Sequence, residues 1–194
     1  DGHAQNWDMP MAYAATNYHS EQGVIFADRV REYTDGAINI TVHPGGSLFG
    51  GGDIKRAVQT GQVPIGERFM SAHANEAPLL GWDNLPFIAT SYADNAKLWD
   101  AARDSVNAQL ADLNLGALYT CPWPGQGFYF NKEVASSADT QGIKFRSYNS
   151  ATATFAQELG MIPVQIEAAE LSQALATGVA SSFISSGSTG YDRK

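Results

Sequence analysis

Apolar residues recur along this chain in two alternating patterns, one with a period of two and one with helical spacing, and the two patterns take turns from the N-terminus onward. Residues 7–14 read as extended. Asn17 to Ser20 supply helix caps, and Glu21 to Tyr33 carries Val24, Ile25, Ala27 and Val30 at helical spacing until Asp35 and Gly36 stop it. Ile38, Ile40 and Val42 alternate with polar partners and predict a second strand, followed by a turn at Pro44, Gly45 and Gly46. A short helix through Ile54, Ala57 and Val58 ends at Gly61, and residues 63–69 predict a third strand. A long helix over 92–113 bears Ala96, Trp99, Ala102, Val106 and Leu110 on one stripe, and residues 116–120 predict another strand. Beyond Pro122, Trp123, Pro124 and Gly125 the grammar restarts, with strands at 128–130, 144–146, 162–166 and 182–184 and helices at 151–159 and 168–177. Strands alternating with helices predict an α/β fold with mainly parallel pairing and right-handed crossovers.

Composition narrows the class. The 194 residues are 44% hydrophobic and 11% aromatic, enough for a buried core in one large or two small domains. A net charge of −8 would repel a phosphate backbone, so nucleic acid is not an expected partner. No stretch reads as a membrane span. The single cysteine, Cys121, excludes an intrachain disulfide and reads as a small buried hydrophobe.

Most candidate chemistry dissolves on inspection. The glycine cluster from Gly45 to Gly52 lacks both the Gly-Lys-Ser/Thr ending of a phosphate loop and the spacing of the dinucleotide fingerprint, and turn geometry accounts for it. His3, His19, His43 and His73 show no metal-ligand spacing, so neither a metal nor a cofactor is expected, and His19 reads as part of a helix cap. Ser185, Ser186 and Ser188 sit on no nucleophile elbow. What remains is the stretch Gly142 to Ser150. Ile143 and Phe145 alternate with Lys144 and Arg146, which places Arg146 on the wetter face near a strand's end. Ser147, Tyr148, Asn149 and Ser150 are cap types opening a helix through Phe155 and Leu159. A cation and free N–H groups at a helix start converge there, an arrangement suited to holding an anion.

Several segments in order resemble the solute-binding proteins of tripartite ATP-independent periplasmic (TRAP) transporters, the DctP-like family. They are FADRV at 26–30 with TDG at 34–36, VHPGGSLFG at 42–50, AVQTGQVPIG at 57–66, LPF at 85–87, GIKFR at 142–146, LGMIPV at 159–164 and EAAELSQALATGV at 167–179. The resemblance implies a two-lobed α/β fold of the Venus-flytrap kind. Lobe I would span 1–121, a hinge 122–125, and a second lobe 126–194 that is incomplete, because the chain resembles roughly the first two thirds of a member. It further implies a periplasmic receptor, its leader removed, that closes on a small organic acid and delivers it to a TRAP membrane permease, with Arg146 gripping the ligand's carboxylate and no chemistry done on the ligand.

Departures from the family pattern shape the expected ligand. Gln126 stands near the place where the sialic acid branch has a second arginine, which argues against sialic acid. The strand after the ALATG helix offers Ser185 or Ser186 as its polar contact. Arg68 and Phe69 after a strand of the first lobe, together with Trp123, Phe128, Tyr148 and Phe183 near predicted strand ends, give the expected pocket an aromatic cast, with hinge and core packing as the alternative reading of these rings. The expected site is thus Arg146, Arg68, Phe69, Trp123, Gln126, Phe128, Asn149, Ser150, Phe183 and Ser185, taking a compact monocarboxylate with a flat or apolar body. A cytosolic α/β enzyme using Glu67 and Arg146 on a carboxylate substrate is the competing expectation.

Overall fold

A computed structural model describes residues 3–191. Contacts within the chain gather into two compact units, one running up to Arg68 and the other from Phe69 onward. The segment 122–125, expected as a hinge, lies inside the second unit.

The first unit is a two-stranded parallel sheet with a helix between its strands. Strand β1 (Gln5–Pro10) pairs in parallel with β2 (Ile38–His43), joined by helix α1 (Tyr18–Tyr33). Asn17 caps α1, its side chain accepting from the His19 amide, as the cap residues in the sequence suggest. A single-turn 3₁₀ segment leads into α2 (Ile54–Gln59). Met9, Met11, Ala27, Ile54, Ala57, Val63 and Ile65 are buried and form the core of this unit. The strand expected at 63–69 is absent. Val63 and Ile65 are buried as the alternation requires, but Pro64 has no amide to give a ladder, and the segment makes one backbone bond to β1's end, Glu67 N to Pro10 O.

The second unit begins with two 3₁₀ turns and the long helix α3 (Tyr92–Asp112), whose Val106 and Leu110 pack with Ala77 and Leu80. Residues 116–120 form no strand, and Leu118, which alternation would bury, is 69% exposed. A four-stranded sheet follows, built from β3 (Gln126–Phe130), β4 (Lys144–Ser147), β5 (Ile162–Gln165) and β6 (Ser182–Ser186) in the order β3-β6-β4-β5. β4 runs parallel to both neighbours, whereas β3 is antiparallel to β6, so pairing is mixed at one edge. Helix α4 (Ser150–Glu158) joins β4 to β5, and α5 (Leu171–Ala176), entered through a 3₁₀ turn, joins β5 to β6. A five-residue helix, α6 (Gly187–Tyr191), follows β6.

The register assigns each side chain to a face, because directly paired residues project the same way. Phe128, Phe130, Phe145 and Ile184 share one face, packed with Ala156 of α4 and Met161. Tyr129, Phe183, Arg146 and Val164 share the other, where Ile166, Ala174 and Ala180 form a second cluster against Val164. Both faces are therefore covered. That corrects the sequence reading of Arg146: it occupies a buried face, not a wet one, and is only 4% exposed.

Candidate carboxylate site at the ends of the parallel strands

Arg146 is the third residue of β4, and its neighbours on the same face are Phe183 of β6 and Val164 of β5. A guanidinium taken out of water needs hydrogen-bond acceptors. Nε donates to the carbonyl of Ile166 and Nη1 to that of Ile184, each at 2.8 Å. Ile166 directly follows β5 and Ile184 lies in β6, so the charge stands at the carboxyl-terminal side of the parallel strands, where open α/β sheets take their ligands.

The chain turns there into α4 through a dense cap. Asn149 Oδ1 accepts from the Thr152 amide at 2.9 Å, and Thr152 Oγ1 accepts from the amides of Tyr148 and Asn149 at 3.1 and 3.2 Å. Asn149 Nδ2 donates to Ser71 Oγ at 3.1 Å and to Asn84 Oδ1 at 3.0 Å, tying the start of α4 to segments at the beginning of the unit. With Asn149 2% exposed, every polar atom of its carboxamide is engaged. Tyr148 lies against the charge, its ring centroid 5.3 Å from the Arg146 guanidinium carbon, with the Phe69 ring edge-on to it at 5.4 Å. Burial pushes the Tyr148 phenol up to about 12, against the opposing pull of the Arg146 charge.

The structure gathers part of the expected set around Arg146. Asn149 is the cap three residues on, Phe69 is joined to it through Tyr148, and Phe183 and Ser185 share its sheet face, both buried, with Phe183 stacked on Tyr129 at 4.5 Å. Ser150 opens α4 and is exposed. Phe128 and Gln126 lie on the opposite face by register. The Phe128 ring packs on Phe145 and Phe155, and the Gln126 amide donates to the Pro124 carbonyl at 3.0 Å. Trp123 is half-buried in the segment before β3, and Arg68 is half-buried at the end of the first unit. The sequence reading passed over Ser71 and Asn84 and the two carbonyls that seat Arg146. The cap signal at Asn149 was legible, but its partners 78 and 65 residues away leave no local trace. Among the described residues, no group of His, Cys, Asp and Glu could hold a metal ion, and no helix is long and apolar enough to cross a membrane.

The chain matches the family described as bacterial extracellular solute-binding protein, family 7, over residues 11–194, and it belongs to that family. It is similar to a marine metagenome TRAP solute-binding protein specific for pyroglutamate, solved with co-purified pyroglutamate, at 84% identity and a TM-score of 0.97 over 98% of this chain and 63% of that one. It is also similar to a Bordetella pertussis extracytoplasmic solute receptor binding pyroglutamic acid, at 41% identity and a TM-score of 0.93 over 97% of this chain and 63% of that one. A third relative, the monocarboxylate 2-oxoacid-binding periplasmic protein of a Nostoc species, is 30% identical over 125 residues, 62% of this chain and 34% of its own length. The chain thus spans less than two thirds of these relatives.

Proposed function

We propose that the protein is an extracytoplasmic receptor for a compact cyclic monocarboxylate, pyroglutamate in the first instance, which it passes to a TRAP membrane permease. The reading rests on one observation above others: a buried arginine at the strand ends, in a chain 84% identical to a pyroglutamate-specific receptor. Pyroglutamate is a carboxylate on a small, nearly flat lactam ring. That is the class of ligand to which a single guanidinium and aromatic neighbours are suited.

The carboxylate would be taken by Arg146, whose planar fork can make two parallel charge-assisted hydrogen bonds that a lysine cannot reproduce. Phe183 and Ser185 share its sheet face, the former offering apolar contact and the latter a hydroxyl for a ring carbonyl or amide. Phe128 and Gln126 are left out of this reading, since they project from the other face.

Calorimetric titration of the full-length protein with pyroglutamate, pyruvate and glucuronate tests the proposal. Pyroglutamate is expected to bind in the micromolar range or tighter and to be recovered chemically unchanged. Binding of glucuronate in preference would overturn the ligand assignment, and appearance of a product would overturn the receptor reading.

A further inference from the structure

Tyr148 belongs to no element and caps nothing, yet it is anchored on every side. Its amide donates to Thr152 Oγ1 at 3.1 Å and its carbonyl accepts from Gln165 Nε2 at 2.8 Å. The Phe69 ring meets it edge-on, and it packs against the cluster of Phe145, Ala156, Met161 and Ile184. A residue bonded through its backbone on both sides and wedged through its ring has little freedom to move.

What that rigid ring touches is the guanidinium of Arg146. The carbonyls of Ile166 and Ile184 hold two edges of the guanidinium, which fixes its rotation within its own plane. In-plane bonds resist tilting only weakly. The Tyr148 ring, its centroid 5.3 Å from the guanidinium carbon, adds a further restraint and an attraction between the cation and the aromatic quadrupole, and keeps water off that side.

We propose that Tyr148 is a positioning residue for carboxylate capture: its ring helps hold the Arg146 guanidinium in place and so pre-orients the donors that meet the ligand. The inference rests on Arg146 being the carboxylate grip. A guanidinium already oriented loses less freedom when the acid arrives, and the gain appears as affinity. The ring does this, not the hydroxyl, so phenylalanine can replace it.

The test uses the full-length protein, pyroglutamate as the probe, and Tyr148→Phe, Tyr148→Leu, Tyr148→Met and Arg146→Lys. Tyr148→Phe is expected to bind within about threefold of the parent, and Tyr148→Leu and Tyr148→Met about tenfold more weakly. The Arg146 Nε–H resonance, identified by its loss in Arg146→Lys, is expected at nearly the same position in the parent and in Tyr148→Phe, and to move in the aliphatic variants, where the ring current is removed while the bond to the Ile166 carbonyl stays. Methionine is smaller than tyrosine but flexible enough to fill part of its space, and if neither aliphatic variant folds, Tyr148→Phe tests the ring by itself, since a loss well above threefold overturns the proposal. Unchanged affinity in a folded aliphatic variant, equal losses in the Phe and Leu variants, or an Nε–H that does not move between the parent and a folded aliphatic variant each overturn the proposal. Parent-like binding by a folded Arg146→Lys overturns the grip itself, which is a separate failure.

Discussion

Arg146 donates from Nε to the carbonyl of Ile166 at 2.8 Å, a bond between residues twenty apart that joins β4 to the end of β5 beneath two covered faces of one sheet. The same guanidinium reaches Ile184 in β6, so one side chain cross-links three strands at their carboxyl side. An arginine built in this way serves the fold itself, beside the ligand role proposed for it.

Replacing Arg146 by alanine is accordingly expected to destabilise the protein even without ligand. Two carbonyls lose charge-assisted donors and a buried volume empties, a combined cost of about 3 kcal/mol. Urea unfolding of the ligand-free protein measures it. A cost under about 1 kcal/mol would mean that the two bonds are readily replaced by water, and that the site is wetter than its 4% exposure indicates.

Asn149 does two jobs that substitution can separate. As the cap of α4 it accepts from Thr152, and as a bridge it donates to Ser71 and Asn84. Asn149→Asp keeps the acceptor and loses the donors, placing a carboxylate oxygen against Asn84 Oδ1, whereas Asn149→Ala loses both functions. The aspartate variant is expected to protect the first amides of α4 from hydrogen exchange almost as well as the parent while lowering global stability by about 2 kcal/mol. The alanine variant is expected to lose both. Equal exchange in the two variants would show that the bridge, not the cap, orders the start of α4.

Much of this site could be foreseen from local pattern, and the remainder could not, for a physical reason. Alternation at Ile143 to Arg146 and the cap types that follow fixed a strand, a turn and a helix to within a residue or two, since those signals act over a few positions. Alternation does not say whether a strand's second face meets water. Arg146 alternates with Ile143 and Phe145 and so reads as facing water, yet it is buried, on the face where Val164 packs with Ile166, Ala174 and Ala180. Residues 63–69 and 116–120 failed in a related way: an apolar period of two is necessary for a strand, but a ladder also needs a neighbour and an amide at each step, and Pro64 supplies none. Phe128 looked like a ligand contact because aromatics were expected near strand ends, and only the register with Ile184 sends it to the opposite face.

His19 makes the first unit sensitive to acid. It is 2% exposed, with the rings of Tyr18 and Tyr13 beside it, and burial lowers its pKa from 6.5 to about 4 although Glu67 Oε1 lies 3.7 Å from Nδ1. At that separation the pair is no hydrogen bond, and desolvation of the imidazolium dominates. Between pH 6.5 and 4 the unfolded chain holds the extra proton, so stability is full above 6.5 and falls as pH drops, by roughly 3 kcal/mol once pH is below 4. Urea midpoints measured from pH 7 to 4 are expected to decline, and His19→Gln to flatten the decline. A His19 ring resonance titrating near 6.5 would refute the assignment.

Gly160 sets the exit from α4 and offers the most local test of the fold. Its φ of +71° is a left-handed conformation, reached where the Gly160 amide donates to the Gln157 carbonyl and the Met161 amide to that of Ala156, both at 2.9 Å. The turn delivers buried Met161 to the core and lines up β5 beside β4. A side chain at 160 faces two separate penalties: the left-handed backbone, about 1 kcal/mol for an alanine, and overlap of the new Cβ with the Gln141 carboxamide. Gln141 is exposed and its amide makes only long bonds, to the Ser137 carbonyl at 3.4 Å and the Leu159 carbonyl at 3.3 Å, so it can swing away at little cost. Gly160→Ala is therefore expected to cost about 1 to 2 kcal/mol, and most of that is expected to persist when Gln141→Ala is added. Chemical unfolding of the two single variants and the double variant closes the cycle. A penalty that disappears in the Gln141→Ala background would assign the glycine to side-chain crowding, and a penalty that persists assigns it to the backbone turn on which β5 and the Ile166 carbonyl depend.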